Sequence, residues 1–335
     1  QTLVDVRIRA AALRTIDKIV IVACGTAFYA GLVAKYAIEH WTRIPCEVEI
    51  ASEFRYRDPI VTARTLVVTI SQSGETADTL MAVRHAREQG AKVIAICNTN
   101  GSTIPRESDA VLYTHAGPEI GVASTKGFLT QVAACYLLGL YLAQVRGTKF
   151  GDEIALVMTE LESMPEKIQQ VLDAQQQVLD LAAELKDSKT VLFLGRHVGY
   201  PVALEGALKL KEIAYLHAEG FPAGELKHGP IALVEPGLPV FVIVPPQGRD
   251  QLHDKVISNI QEVRARGART IVLVEEGDEI VEPYADVVIR LPQASTLLQP
   301  LLATIPLQLF ACELATLLGH DADQPRNLAK SVTVE

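Results

Sequence analysis

Two stretches of this chain follow one plan: a short apolar run ends in small residues, a helix follows, and the cycle restarts. In the first, KIVIVACG (Lys18 to Gly25) reads as a buried strand leading into a helix near Thr26. CEVEIASEF and TLVVTISQSG supply a second and a third strand, with a helix from about Glu75 to Gln89. AKVIAICN and AVLYTHAG add two more strands, and an apolar helix runs from Lys126 to about Val145. The second stretch repeats the pattern. KTVLFLGR leads into a helix containing ALEGALKLKEI, LPVFVIVPPQG into the helical DQLHDKVISNIQEVRARG, then RTIVLVEEG, ADVVIRLP and a helix over Thr304 to Leu318. Strands alternating with helices predict parallel sheets covered on both faces, and two matching units predict an internal duplication. The boundaries expected are 1–150 and 189–319 for the two subdomains, 151–188 for one or two linking helices, and 320–335 for an irregular tail. Pro165 is expected in the first turn of the second linking helix, where proline is tolerated.

With 335 residues, 49% of them hydrophobic, the chain can bury two cores. A net charge of -9 argues against nucleic acid or an anionic membrane as partner, though not against a small anion in a donor-rich pocket. The five cysteines (Cys24, Cys46, Cys97, Cys135 and Cys312) are widely spaced without a CxxC pair, and are expected as buried thiols of a reducing, cytoplasmic compartment. Leu297 to Gly319 is the most apolar stretch, but Gln299, Pro300, Pro306, Gln308 and Glu313 interrupt it, as in a core helix. The start lacks an apolar leader and an initiator Met, as expected of a fragment or processed chain.

SQSGETADT (Ser71 to Thr79) leaves a buried strand for a helix, where open parallel sheets bind ligands. Backbone N–H groups and the helix dipole favour an anion there, and Ser71, Gln72, Ser73 and Thr76 add side-chain donors. A cap alone would use one of them, so the surplus points to phosphate. In ALKLKEI, Lys209 and Glu212 share a helix face. Such a pair is commonly an exposed ion pair, but the helix around it is otherwise apolar. A carboxylate there could serve as a proton-transfer base. AGELKHGP sets His228 in a turn, where it can donate and accept protons near neutral pH or simply face solvent. Lys330 lies in the polar tail, whose ordinary reading is a frayed end.

ACGT, ASEFRYR, SQSGETADT, EIGVASTK, ALEGALKLKEI, AGELKHGP and DQPRNLAKSVTVE together closely resemble the isomerase half of the glucosamine-6-phosphate synthase (glutamine–fructose-6-phosphate aminotransferase) family, over essentially the whole chain. The resemblance implies an α/β fold of two tandem flavodoxin-like sugar-isomerase (SIS) subdomains with the tail over the active site. It implies conversion of fructose 6-phosphate and ammonia to glucosamine 6-phosphate, or interconversion with glucose 6-phosphate, with no cofactor or metal. Glu212 is then the proton-transfer base with Lys209 as helper. His228, from the neighbouring subunit of a homodimer, opens the ring, and Lys330 forms a Schiff base, for which its amine must be partly neutral. Ser71, Gln72, Ser73 and Thr76 hold the phosphate; Val122, Ser124 and Ala329 contact the sugar; Thr26 is a further candidate. Ala27 stands where the family often has serine, so no contact is assigned to it. Nothing in the chain matches the family's glutaminase domain with its N-terminal cysteine, so no glutamine-dependent activity is expected of this chain alone. A phosphosugar isomerase without amination and a non-catalytic phosphosugar sensor are the rivals; a sensor has no use for Glu212.

Overall fold

The computed structural model describes residues 6–248 and 251–333. They fall into two compact units, one within Gln1–Thr159 together with Ala329–Glu335, the other within Glu160–Leu328. The first holds a parallel sheet of β1 (Lys18–Ala23), β2 (Cys46–Ile50), β3 (Thr65–Ser71), β4 (Lys92–Cys97) and β5 (Ala110–Tyr113) in the order β2-β1-β3-β4-β5. The second holds β6 (Thr190–Gly195), β7 (His217–Pro222), β8 (Pro239–Ile243), β9 (Arg269–Glu275) and β10 (Val287–Leu291) in the order β10-β9-β8-β6-β7. Read from its other edge, the second sheet has the connectivity of the first. The duplication is therefore one of topology, with the strand order reversing beside the first strand of each unit.

Central strands are buried on both faces because helices cover both, and their sequences are accordingly continuous apolar runs. Every residue of β3 is buried, and β8 likewise. In the first unit the helices Gly25–Thr42 and Lys126–Arg146 approach closely at Gly139, where a Cβ would lie 3.2 Å from both Ile38 and Trp41. In the second, Phe193 stacks on Phe241 at 5.0 Å, and Phe241 meets Phe310 of the helix Pro300–Leu317 at 4.8 Å. Both Lys126–Arg146 and Pro300–Leu317 are long and apolar enough to cross a membrane by composition, yet most of each is buried inside the fold.

Three expectations need correction. The sequence supplies four strands for the second half, whereas the structure has five: His217–Pro222 forms the edge strand β7, paired with β6 along its length. Its glycine and proline, and its lack of an apolar run, hide it, since an edge strand with a terminal proline needs only one bonding edge. Pro165 lies inside a single helix, Gly151–Asp173, and does not begin one. The apolar stripe of Ile154, Met164 and Val171 continues across the proline, and its burial offsets the roughly 3 kcal/mol of an interior proline. All five cysteines are free, but only Cys46, Cys97 and Cys135 are buried; Cys312 faces outward from its helix.

Candidate functional site

In the first unit the chain leaves β3 at Ser71 and turns at Gly74, whose φ is +69°. A Cβ at Gly74 would lie 2.0 Å from Ser102 Oγ and 2.8 Å from Cys97 Sγ, so only glycine fits. Ser71 Oγ accepts the Gly74 N–H at 3.0 Å and lies 3.3 Å from Thr76 Oγ1. Ser73 Oγ accepts the Glu75 N–H at 3.2 Å. The helix Ala77–Glu88 starts two residues later than expected, with Thr76 at its cap position but no side-chain cap bond. The cluster of hydroxyls therefore serves something other than capping.

A second loop braces this turn. The Gln72 carbonyl accepts from the Asn98 N–H at 3.3 Å and from Thr99 Oγ1 at 3.2 Å. The Glu75 carboxylate accepts the Thr103 N–H at 2.8 Å, and hydrogen bonding from the Thr103 side chain, then from this N–H, lowers its pKa below the usual range. The β1 exit lies on the same sheet edge by register, with Val22 opposite Thr69. Thr26, in the first turn of Gly25–Thr42, is buried there.

The tail is seated on this unit residue by residue. Lys330 Nζ pairs with Glu119 Oε2 at 2.9 Å and donates to the Gly121 carbonyl at 2.8 Å. Ser331 Oγ donates to Ser73 Oγ at 3.1 Å, and the Val332 carbonyl accepts the Ala77 N–H at 3.1 Å. Ala329 is exposed beside them. Glu119 is itself fixed: Oε1 accepts the N–H groups of Thr125 at 2.9 Å and Gly127 at 3.0 Å, and Oε2 accepts Ser124 Oγ at 3.1 Å. Burial works to raise its pKa, but these donors and the Lys330 ammonium outweigh it and leave it below the ordinary carboxylate value. The structure thus joins Lys330 to the loop carrying Val122 and Ser124, and the tail to the Ser71–Thr76 turn.

In the second unit the helix Gly199–Lys209 runs into a π-helical turn, Leu210–Ala214, a device common at functional positions. Lys209 is 1% exposed and sits between two carboxylates, Glu205 Oε1 at 3.3 Å and Glu212 Oε2 at 2.5 Å. Burial alone would lower the Lys209 pKa, but the two carboxylates outweigh it and raise it, so the ammonium persists. The exposed-pair reading of Lys209 and Glu212 is excluded. Glu212 keeps 22% exposure, at the edge of a cavity of about 520 Å³. Tyr215, His217 and Arg326 also line that cavity, with the Arg326 guanidinium 4.1 Å from the Tyr215 ring. His228 ends the 3-10 turn Ala223–His228 and is exposed. Its turn packs Gly224 against the Arg196 guanidinium, which donates to Asn259 at 2.9 Å.

Glu119, Glu205 and Ser331 carry contacts that the sequence reading did not single out. Glu205 had a signal, its four-residue spacing from Lys209 on one helix. Glu119 and Ser331 had none beyond adjacency to residues already named, because the contacts that fix them, Lys330 to Glu119 and Ser331 to Ser73, link positions far apart in sequence.

The SIS domain profile matches residues 12–141 and 184–318. Glutamine–fructose-6-phosphate aminotransferase [isomerizing] from Corynebacterium glutamicum is 73% identical over 332 residues, 99% of this chain and 53% of the relative. That from Streptomyces coelicolor is 72% identical over 332 residues, 99% of this chain and 54% of the relative. The chain thus spans about half the length of the curated relatives it matches. The C-terminal domain of glucosamine-fructose-6-phosphate aminotransferase from Francisella tularensis superposes with a TM-score of 0.89 at 43% identity, covering 94% of this chain and 89% of that one. A glucosamine-6-phosphate deaminase from Thermotoga maritima shares the fold, with a TM-score of 0.75 at 24% identity over 96% of this chain and 93% of that one.

Proposed function

Since this chain belongs to the SIS-domain family, and within it to the isomerase half of the glutamine–fructose-6-phosphate aminotransferases, we propose that it converts fructose 6-phosphate and ammonia to glucosamine 6-phosphate. The phosphate is held by the Ser71–Thr76 turn, with Gln72 and Ser73 as side-chain donors. His228, supplied by the second copy of a homodimer, moves the anomeric proton to the ring oxygen and opens the sugar. Lys330 first gives up its ammonium proton; the free amine then adds to the C2 carbonyl and water leaves, giving an imine. Ammonia displaces the lysine from C2. Glu212 then takes a C1 proton and returns it to C2 while the C1 hydroxyl proton passes to the imine nitrogen, leaving an aldehyde at C1 and an amine at C2, and the ring closes. Lys209, held by Glu205 from behind, keeps the Glu212 carboxylate oriented for both transfers. Val122, Ser124, Ala329 and Thr26 line the sugar, and glucose 6-phosphate is the product when ammonia is lacking. In the complete protein the ammonia comes from glutamine, through the half of the relatives that this chain does not match. Five free thiols support a cytoplasmic setting.

The observation that carries this reading is the Lys330 amine, fixed by Glu119 and Gly121 on the unit that bears the donor-rich turn. A lysine near a chain end would otherwise be disordered. Incubation with fructose 6-phosphate followed by borohydride should attach the sugar to Lys330, as located by peptide mass spectrometry. Adding ammonium should release label as amino sugar. Label on another lysine, or none, would remove the imine from the mechanism.

A further inference from the structure

Three successive tail residues are each fixed to a different part of the first unit, and the middle one reaches the donor-rich turn. Ser331 Oγ donates to Ser73 Oγ at 3.1 Å, while Ser73 Oγ also accepts the Glu75 N–H at 3.2 Å. A serine hydroxyl has two acceptor lone pairs and one donor hydrogen. With both lone pairs engaged, the Ser73 hydrogen is the part left to give outward, and donors feeding its oxygen strengthen what it gives. An anion in the turn is then bound by a hydroxyl that the tail itself polarises. The neighbouring residue on one side is Lys330, 2.9 Å from Glu119; on the other, the Val332 carbonyl takes the Ala77 N–H at the helix start.

We propose that Ser331 is a positioning residue that couples phosphate binding to delivery of the Lys330 amine: through Ser73, gripping the phosphate and seating the tail become one event. The inference rests on the functional reading above and adds to it a residue and a direction of coupling. Because the coupling is reciprocal, an anion in the turn holds Ser331 down, and the adjacent Lys330 with it. An anion that binds without being part of the sugar should therefore still promote imine formation. A sugar phosphate whose anionic end merely added affinity would show no such effect in two pieces.

The test separates the sugar from its anion. Unphosphorylated fructose is incubated with the protein, with and without inorganic phosphite, reduced with borohydride, and Lys330 labelling is measured by mass spectrometry. In the unaltered protein phosphite should raise Lys330 labelling. In Ser331→Ala that rise should shrink roughly three- to tenfold, the scale of one lost hydrogen bond. Ser331→Thr, which keeps the hydroxyl, should restore it. An unchanged phosphite effect in Ser331→Ala overturns the coupling while leaving the imine intact, as does an unaltered protein indifferent to phosphite. Failure of fructose 6-phosphate itself to label Lys330 would instead sink the functional reading, and the coupling with it.

Discussion

Glu119 is a carboxylate that burial penalises and the surrounding donors rescue, and that balance has a pH consequence. Its folded pKa is lowered, so the stabilisation it gives is complete above the unfolded carboxyl value of about 4.3. That stabilisation is lost as pH falls through the lowered folded value. The tail contact to Lys330 should therefore hold from neutral pH to about pH 5 and release in stronger acid. Hydrogen exchange of a peptide covering 329–333, followed against pH, should show protection falling only at the acid end, and Glu119→Gln should lower it at all pH values. The acid residues illustrate what sequence can show at this scale. Lys209 and Glu212 were legible because three-residue spacing on a helix forces proximity. Their burial was not, since an i,i+3 Lys–Glu pair looks the same on a wet face. The donor-rich turn was legible from its surplus of hydroxyls, whereas Ser331 needed the tail to be folded onto that turn before its hydroxyl meant anything.

Among the elements, long apolar strands and helices follow directly from the sequence, and departures occur where the chain's own pattern is weak. β7 exists because β6 offers it an edge, and Gly220 in it is required because a Cβ there would lie 2.9 Å from the backbone of Ala203. Neither fact shows as periodicity. Pro165 reads as a boundary by local rules, and the apolar stripe that continues past it is visible only once the helix is packed. The π-helical turn after Lys209, which carries Glu212, likewise has no sequence signature. Phe241, central between Phe193 and Phe310, should be the costliest aromatic to truncate. Phe241→Ala should destabilise the second unit by about 3–5 kcal/mol, read from a lowered denaturation midpoint.

For the whole molecule, the sharpest consequence concerns which copy supplies His228. If it comes from the partner, two inactive variants repair each other. Glu212→Gln and His228→Ala, each inactive alone, should on mixing and reassociation recover about one quarter of the unaltered rate. Half the dimers are then mixed, and each mixed dimer has one complete site. Recovery of nothing would place His228 in its own subunit's site. The sequence by itself determined the alternation of strand and helix, its duplication, and the residue types of the donor-rich turn, because hydrophobic period and donor surplus are local properties that survive without a fold. Only the tertiary structure decided that Glu205 and Glu212 enclose Lys209, that an edge strand completes the second sheet, and that the tail lies on the first unit with its amine on Glu119. Those outcomes depend on desolvation and on pairing between residues far apart in the chain, which no local pattern encodes.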